Sequence, residues 1–352
     1  LWFCRVERRK NEKTVRSFLC ALLAMVTVFN INMSVFAVSE ENQPMLTEDS
    51  LLIISDVISN MRADKEAYGM SAVDFDHLFI GDEIPVYVSN QDSTIRSSNV
   101  HYYPILEDSK CVAIVVLGTD ESGNLLVNAS TWFSDKLNDA EINAPLAVIL
   151  NEEAIVVSVG DSFGVARESL HYQKITQNCL PLPMGRELRA GSRYLNVPIF
   201  QQGAGTSICW ALCIRSIAQY FGVYRTTDQI YDLMGIPYGQ GSNDTNKMTY
   251  VMNSDLNLSA SHVAHVCYSQ LQNYINANKP VWAGAPDLSG TIGHTVVLRG
   301  YSEGTSTKLV SYMNPMYGEY WSSNVTSDGR FPVIYPNGNV FGYMNDFIAV
   351  GR

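Results

Sequence analysis

Apolar residues recur at Ile208, Ala211, Leu212, Ile214, Ile217, Tyr220 and Phe221, with Arg215, Ser216 and Gln219 falling between them. That spacing predicts an amphipathic helix with Cys209 in its first turn, entered from the polar loop QQGAGTS and stopped by Gly222. C-terminal to it, TTDQIYDLMG reads as a second helix, with a capping box of Thr226 and Gln229 and a stop at Gly235. Further helices are expected over 245–253 and from Ser269 to just before Lys279 and Pro280. The period then changes: PVWAGA, GHTVVLRGY, TKLVSYMNP, PVIYP and FIAVG read as strands separated by glycine-rich turns.

N-terminal to these elements, the pattern predicts a helix over 50–61 and strands in HLFIG, IPVYV, VHYYPIL and CVAIVVLG. Turn clusters fall at 91–94 and 118–124, a helix is expected over 131–137, and APLAVIL with AIVVSVG reads as a hairpin. The fold class is therefore α+β: a helical half plus an antiparallel β half over 197–352, preceded by a second α+β segment over 38–180. Between them, 181–196 mixes Pro, Gly and Arg with little periodicity, as a linker would.

Charge sharpens this division. Residues 1–37 carry 6 basic and 2 acidic side chains, 38–190 carry 9 and 24, and 191–352 carry 9 and 9. A net charge of -11 with no basic stripe argues against a nucleic-acid partner. Near the start, Arg5, Arg8, Arg9, Lys10, Lys13 and Arg16 precede the apolar run FLCALLAMVTVF, and Val35, Phe36 and Ala37 supply a small-residue cleavage signature. Residues 1–37 thus read as a secretory signal peptide. Asn30 and Asn32 end the run below the length of about 18 residues that a membrane span needs, so no stable membrane insertion is expected. Cysteines stand at 4, 20, 111, 179, 209, 213 and 267; the five after the signal form no even framework.

A thiol at a helix N-terminus meets open N–H groups and the positive end of the macrodipole, which favour thiolate. Gln202, or alternatively Gln201, supplies an amide to hold an oxyanion with the Cys209 N–H. His294 opens the strand GHTVVLRGY as a general base, and Asn314, at the end of SYMNP, offers its oxygen to the imidazole Nδ1–H so that Nε2 faces the sulfur.

The order Cys, His, Asn, the aromatic directly after the nucleophile in ICWAL and the upstream glutamine resemble the papain-like cysteine peptidases. VPIFQQ, CWAL, GHTVVLRGY and NP resemble the bacterial secreted C39-like or AvrRpt2-like branch, with staphopain as a further relative. The resemblance covers roughly 195–350. It implies Cys209 as nucleophile, His294 as base, Asn314 as third member and Gln202 (or Gln201) at the oxyanion hole, with Trp210 and Trp321 as substrate-lining or shielding residues. It also implies no cofactor, a protein or peptide substrate, and a zymogen whose acidic segment is an intramolecular inhibitor, cut between about Met184 and Leu195. The 85 residues from Cys209 to His294 are fewer than in papain, and Gln202 stands seven before Cys209, one more than the family pattern.

Other readings share some of these parts. A Cys–His–Asn/Asp amidase or transglutaminase uses the same thiolate and base, and a binding or adhesion protein with an inactive papain-like domain keeps the fold alone. His262, His265 and Cys267 are weighed as a zinc set, but strand alternation would put His262 on the face opposite the other two. His77, His101 and His171 are expected as surface or capping groups. The sequons at Asn128 and Asn324 are short enough to arise by chance.

Overall fold

A computed structural model describes residues 46–352, apart from 85, 91–92, 97–99, 109, 121, 132–133, 140–145, 151–152, 158–179, 183–190, 204–205, 287–292 and 335–340. The expected signal peptide, His171 and the middle of the expected linker lie outside the described residues.

Helix α1 (Glu48–Ala63) is capped by Thr47, whose side chain accepts from the Ser50 N–H. Strands β1 (Leu78–Ile80), β2 (Val86–Asn90), β3 (Ser93–Arg96), β4 (Val100–Glu107), β5 (Lys110–Thr119) and β6 (Leu125–Ser130) follow. Then come the short α2 (Ser134–Asp139), the expected hairpin β7 (Leu146–Leu150) and β8 (Glu153–Val157), and β9 (Leu180–Pro181). β3 starts inside the stretch expected as a turn, and β6 has no counterpart among the expected strands.

The second segment begins with β10 (Arg193–Tyr194) and α3 (Cys209–Tyr220). Helix α4 (Thr227–Met234) carries the expected capping box of Thr226 and Gln229 and ends at Gly235 with φ 61°. After it come α5 (Thr245–Ser254), β11 (Ser259–Val263), α6 (Tyr268–Asn276) and β12 (Val281–Pro286). The chain closes with β13 (Gly293–Glu303), β14 (Lys308–Asn314), β15 (Glu319–Asn324), β16 (Pro332–Ile334), β17 (Phe341–Tyr343) and β18 (Asp346–Gly351).

One antiparallel sheet runs β11-β18-β12-β13-β14-β15-β6-β5-β4-β1-β9, with β10 pairing β13. It crosses the expected segment boundary at β15 and β6, where Trp321, Ser322 and Ser323 face Ser130, Ala129 and Asn128. β5 and β13 are buried along their whole length except at the ends, so the sheet is covered on both faces there. Both expected sequons lie in this joint: Asn128 is fully buried, and the Asn324 side chain accepts from the Val127 N–H and donates to the Leu125 carbonyl.

On the polar side of α3, Ser216 is buried with its hydroxyl on the Pro198 carbonyl, while the Arg215 guanidinium lies 3.8 Å from the Phe200 ring centre. The chain at 198–200 thus lies against Ser216 and Arg215. One local expectation is corrected: His101 is buried, 3.0 Å from Glu83, because β4 lies inside the sheet; His77 is exposed and paired with Asp74 at 2.8 Å.

Candidate active site

Cys209 is the first residue of α3, and Ile208 before it provides no side-chain cap. The first-turn N–H groups of the helix are therefore left for something other than a capping side chain. The approach to α3 is held from two sides. The Gln202 N–H donates to the Pro315 carbonyl at 2.8 Å, and Gln201 packs on Gly318, where an added Cβ would come 2.7 Å from the Gln201 Cβ. Gly318, with φ 66°, is both left-handed and crowded, so a side chain there is disfavoured twice over. Both glutamines are thus fastened to the turn that follows Asn314.

That turn also fixes Asn314. Its main-chain carbonyl accepts from Gly318 N–H at 2.9 Å, and its Oδ1 accepts from Met316 N–H at 3.1 Å and faces His294 Nε2 at 2.8 Å. The Met316 amide is an unambiguous donor, so it identifies the Asn314 atom as oxygen, and the Nε2–H of His294 must be the second donor. Nδ1 is then the nitrogen left for the thiol. The sequence-based expectation had the two ring nitrogens the other way round; ring placement follows the rotamer of His294 on β13, which residue order does not determine.

His294 and Asn314 are each almost fully buried, and Cys209 is 8% exposed. Burial alone pushes the Cys209 thiol up. The hydrogen bond to His294 and its charge, with hydrogen bonds from the Thr295 hydroxyl and backbone N–H, outweigh this and bring the thiol below the ordinary cysteine value. Cys213, one turn further along α3, shows the opposite result. It is fully buried, Thr295 Oγ1 lies 3.7 Å from its sulfur, and burial with the adjacent Cys209 charge holds it well above the ordinary value. Two thiols on one helix thus differ in the company of His294.

Gln202 and Gln201 also separate. Gln201 is exposed, whereas Gln202 has a buried Oε1 with no hydrogen-bond partner among the described residues. Trp210 turns away from the approach loop, donating from Nε1 to the Gln240 carbonyl at 3.1 Å and meeting Tyr231 edge-on at 4.8 Å, so it packs the helical half. Trp321 is buried on β15 and stacks on Tyr317 at 4.9 Å, within the turn that holds Asn314. Thr295 was missed from sequence; its only signal is its place directly after His294.

His262 does not meet His265 and Cys267. It pairs with Asp346 at 2.5 Å across β11 and β18, while Cys267 stands at the start of α6 beside Ser269. Among the described residues no group of three or more His, Cys, Asp or Glu side chains is arranged to hold a metal, and no helix is long and apolar enough to cross a membrane.

Residues 194–332 match the model of the Peptidase_C39 like family, which bears out the expected likeness to the C39-like branch of papain-like cysteine peptidases. No curated protein matches the chain. Among solved structures, the chain is similar to one described as a C39-like peptidase from Bacillus anthracis, at 15% identity and a TM-score of 0.28, covering 38% of this chain and 97% of that one. It is also similar to UfSP from C. elegans, at 11% identity and a TM-score of 0.27, covering 41% of this chain and 35% of that one. The likeness to the family model is confined to the second segment.

Proposed function

We propose that this protein is a thiol peptidase that hydrolyses peptide bonds with Cys209, His294 and Asn314. The observation that carries the reading is the convergence, at the open end of α3, of a thiol brought below its ordinary value by His294 with an imidazole held 2.8 Å from Asn314. Cys209 Sγ attacks the carbonyl carbon of the scissile bond, and the carbonyl electrons move to its oxygen. The resulting oxyanion takes hydrogen bonds from the Cys209 N–H and the Gln202 side-chain N–H. His294 gives its Nδ1 proton to the leaving amine as the C–N bond breaks, leaving a thioester on Cys209. Water, deprotonated by His294, then attacks the thioester, releasing the acid and returning the proton to the Cys–His pair.

Secretion through residues 1–37 and synthesis as a precursor cut between about Met184 and Leu195 belong to the same proposal, supported by the leader-like composition and the acidic first segment. The test is labelling of the full chain with an epoxysuccinyl peptide, followed by mass mapping. Cys267 is the built-in control: its thiol is also below the ordinary value, through hydrogen bonds with Ser269 and Gln270, yet among the described residues no histidine or asparagine is bonded to it. Labelling of Cys209 over Cys267, lost with His294→Ala, is expected. Labelling that ignores His294 would leave a protein with an ordinary thiol and favour the binding-protein reading.

A further inference from the structure

We infer that residues 46–182 remain a non-covalent subunit of the molecule after cleavage in 183–190, seated on strands β13, β14 and β15 and holding His294 and Asn314 in register from behind. The part that concerns His294 and Asn314 rests on the thiol-peptidase reading; the joint itself does not.

The joint is made by one polar stripe. Asp56 and Asn60 in the second half of α1 and Asp64 at its C-cap stand four apart in sequence. Asp56 accepts from the N–H groups of Thr305, Ser306 and Thr307 at 2.8, 2.8 and 3.1 Å and from the Ser306 hydroxyl at 2.8 Å, filling the turn between β13 and β14. There is no space for a Cβ at Gly304 against it. Asn60 donates to Ser322 Oγ and accepts from Ser302 Oγ, each at 2.5 Å, and from Tyr194 hydroxyl at 2.7 Å. Asp64 meets the fully buried Arg299 guanidinium at 2.6 Å, and Arg299 donates onward to Ser311 Oγ and the Leu195 carbonyl, both at 2.9 Å. Tyr68 closes the ring, its hydroxyl 2.9 Å from Ser311 Oγ and 2.6 Å from Ser322 Oγ.

Three consequences follow. A piece that adds β6 to the middle of a sheet cannot leave without baring the β15 edge. It would also strip partners from a buried guanidinium and from Ser302, Ser311 and Ser322, each desolvated in place. And it has no need to leave for the site to work. Ser311 and Asn314 are three apart on a strand whose register with β15 is unbroken, so their side chains face opposite sides of the sheet. α1 grips the face away from Asn314. Because the stripe bonds β13, β14 and β15 together, it fixes the two strands that bear His294 and Asn314.

The C-terminal side of the cut stays with the sheet and keeps Tyr194 in place as a partner of Asn60. Arg193 and Tyr194 are paired with β13, and Leu195 is buried with its N–H on the Arg299 carbonyl at 2.7 Å, so chain beyond 193 is already part of the sheet.

The experiment uses the full chain with a site-specific protease sequence placed in 183–190. After cutting in native buffer, both pieces should co-elute in one gel-filtration peak, with Cys209 labelled at a rate within about twofold of the uncut chain. Urea should separate them and abolish labelling together, and dilution should restore labelling only when both pieces are present. Asp56→Ala with Asp64→Ala should raise dissociation of the cut pieces by about 100-fold. Elution of 191–352 alone with undiminished labelling, or labelling that rises as the N-terminal piece departs, overturns the inference. Co-elution with no Cys209 labelling in cut or uncut chain supports the joint and rejects the peptidase reading.

Discussion

Strands β13 and β14 carry polar clusters on both faces, and the two are finished differently. On the α1 face, Asp56, Asn60, Asp64, Tyr68, Arg299, Ser302, Ser311 and Ser322 bond one another or the backbone into a closed set. On the other, the approach to Cys209 keeps a buried Gln202 oxygen that has no partner among the described residues and a helix start without a capping side chain. Buried polar groups that are all satisfied confer rigidity, whereas groups left open are held ready for something that arrives. The same strands thus separate structure from chemistry by face, and the bulge of β13 between Leu298 and Gly300 falls where Arg299 enters the closed set.

The comparison can be broken by removing one member from each face. His294→Ala should lower the rate of Cys209 labelling and of peptide hydrolysis by about 10³-fold while leaving the urea midpoint nearly unchanged. A shifted midpoint with an intact rate would mean His294 belongs to the structural set. Asp64→Ala should do the reverse, destabilising the chain by about 3 kcal/mol because it strands a buried guanidinium. Pairing it with Arg299→Met should recover part of that loss in urea unfolding, and absence of any recovery would remove the ion pair from the account.

pH sharpens the same contrast. The thiolate fraction rises with pH, and the Cys209 thiol lies below its ordinary value, so its alkylation should set in at lower pH than that of a free thiol. His294→Ala should move that onset upward; Asp64→Ala should leave it in place. For folding, a depressed acid contributes stability above its unfolded value, and this contribution is lost as pH falls through the folded one. The smallest effect is reserved for a residue on neither face. Thr226→Ala removes one half of the α4 capping box and should cost about 1 kcal/mol in thermal unfolding, with labelling of Cys209 unchanged.

Much of the site could be read from residue order because its parts sit at element starts and ends. Cys209 follows a polar loop into a periodic helix, His294 opens an apolar strand and Asn314 closes the next one, each a position that local pattern reveals. The joint could not be read in that way. β6 is LLVNAS and β15 is EYWSSN, and neither stood out as a strand because Asn and Ser interrupt the apolar alternation. Those same residues make the joint: Ser322 bonds Asn60 and Tyr68, and Asn324 bridges to β6. A buried polar residue looks like a surface residue until its partner, here about 200 to 260 positions away, is brought beside it.

By itself, then, the sequence determined the candidates for a thiol site and which stretches become helices, because both depend on residue type and on neighbours a few positions apart. Only the tertiary structure decided which imidazole nitrogen meets Asn314, which glutamine keeps an open buried end, and that the acidic segment and the peptidase-like segment share one sheet. Those outcomes depend on side-chain rotamers and on strand pairing between distant parts of the chain, where hydrogen bonds and packing, not local propensity, select the arrangement.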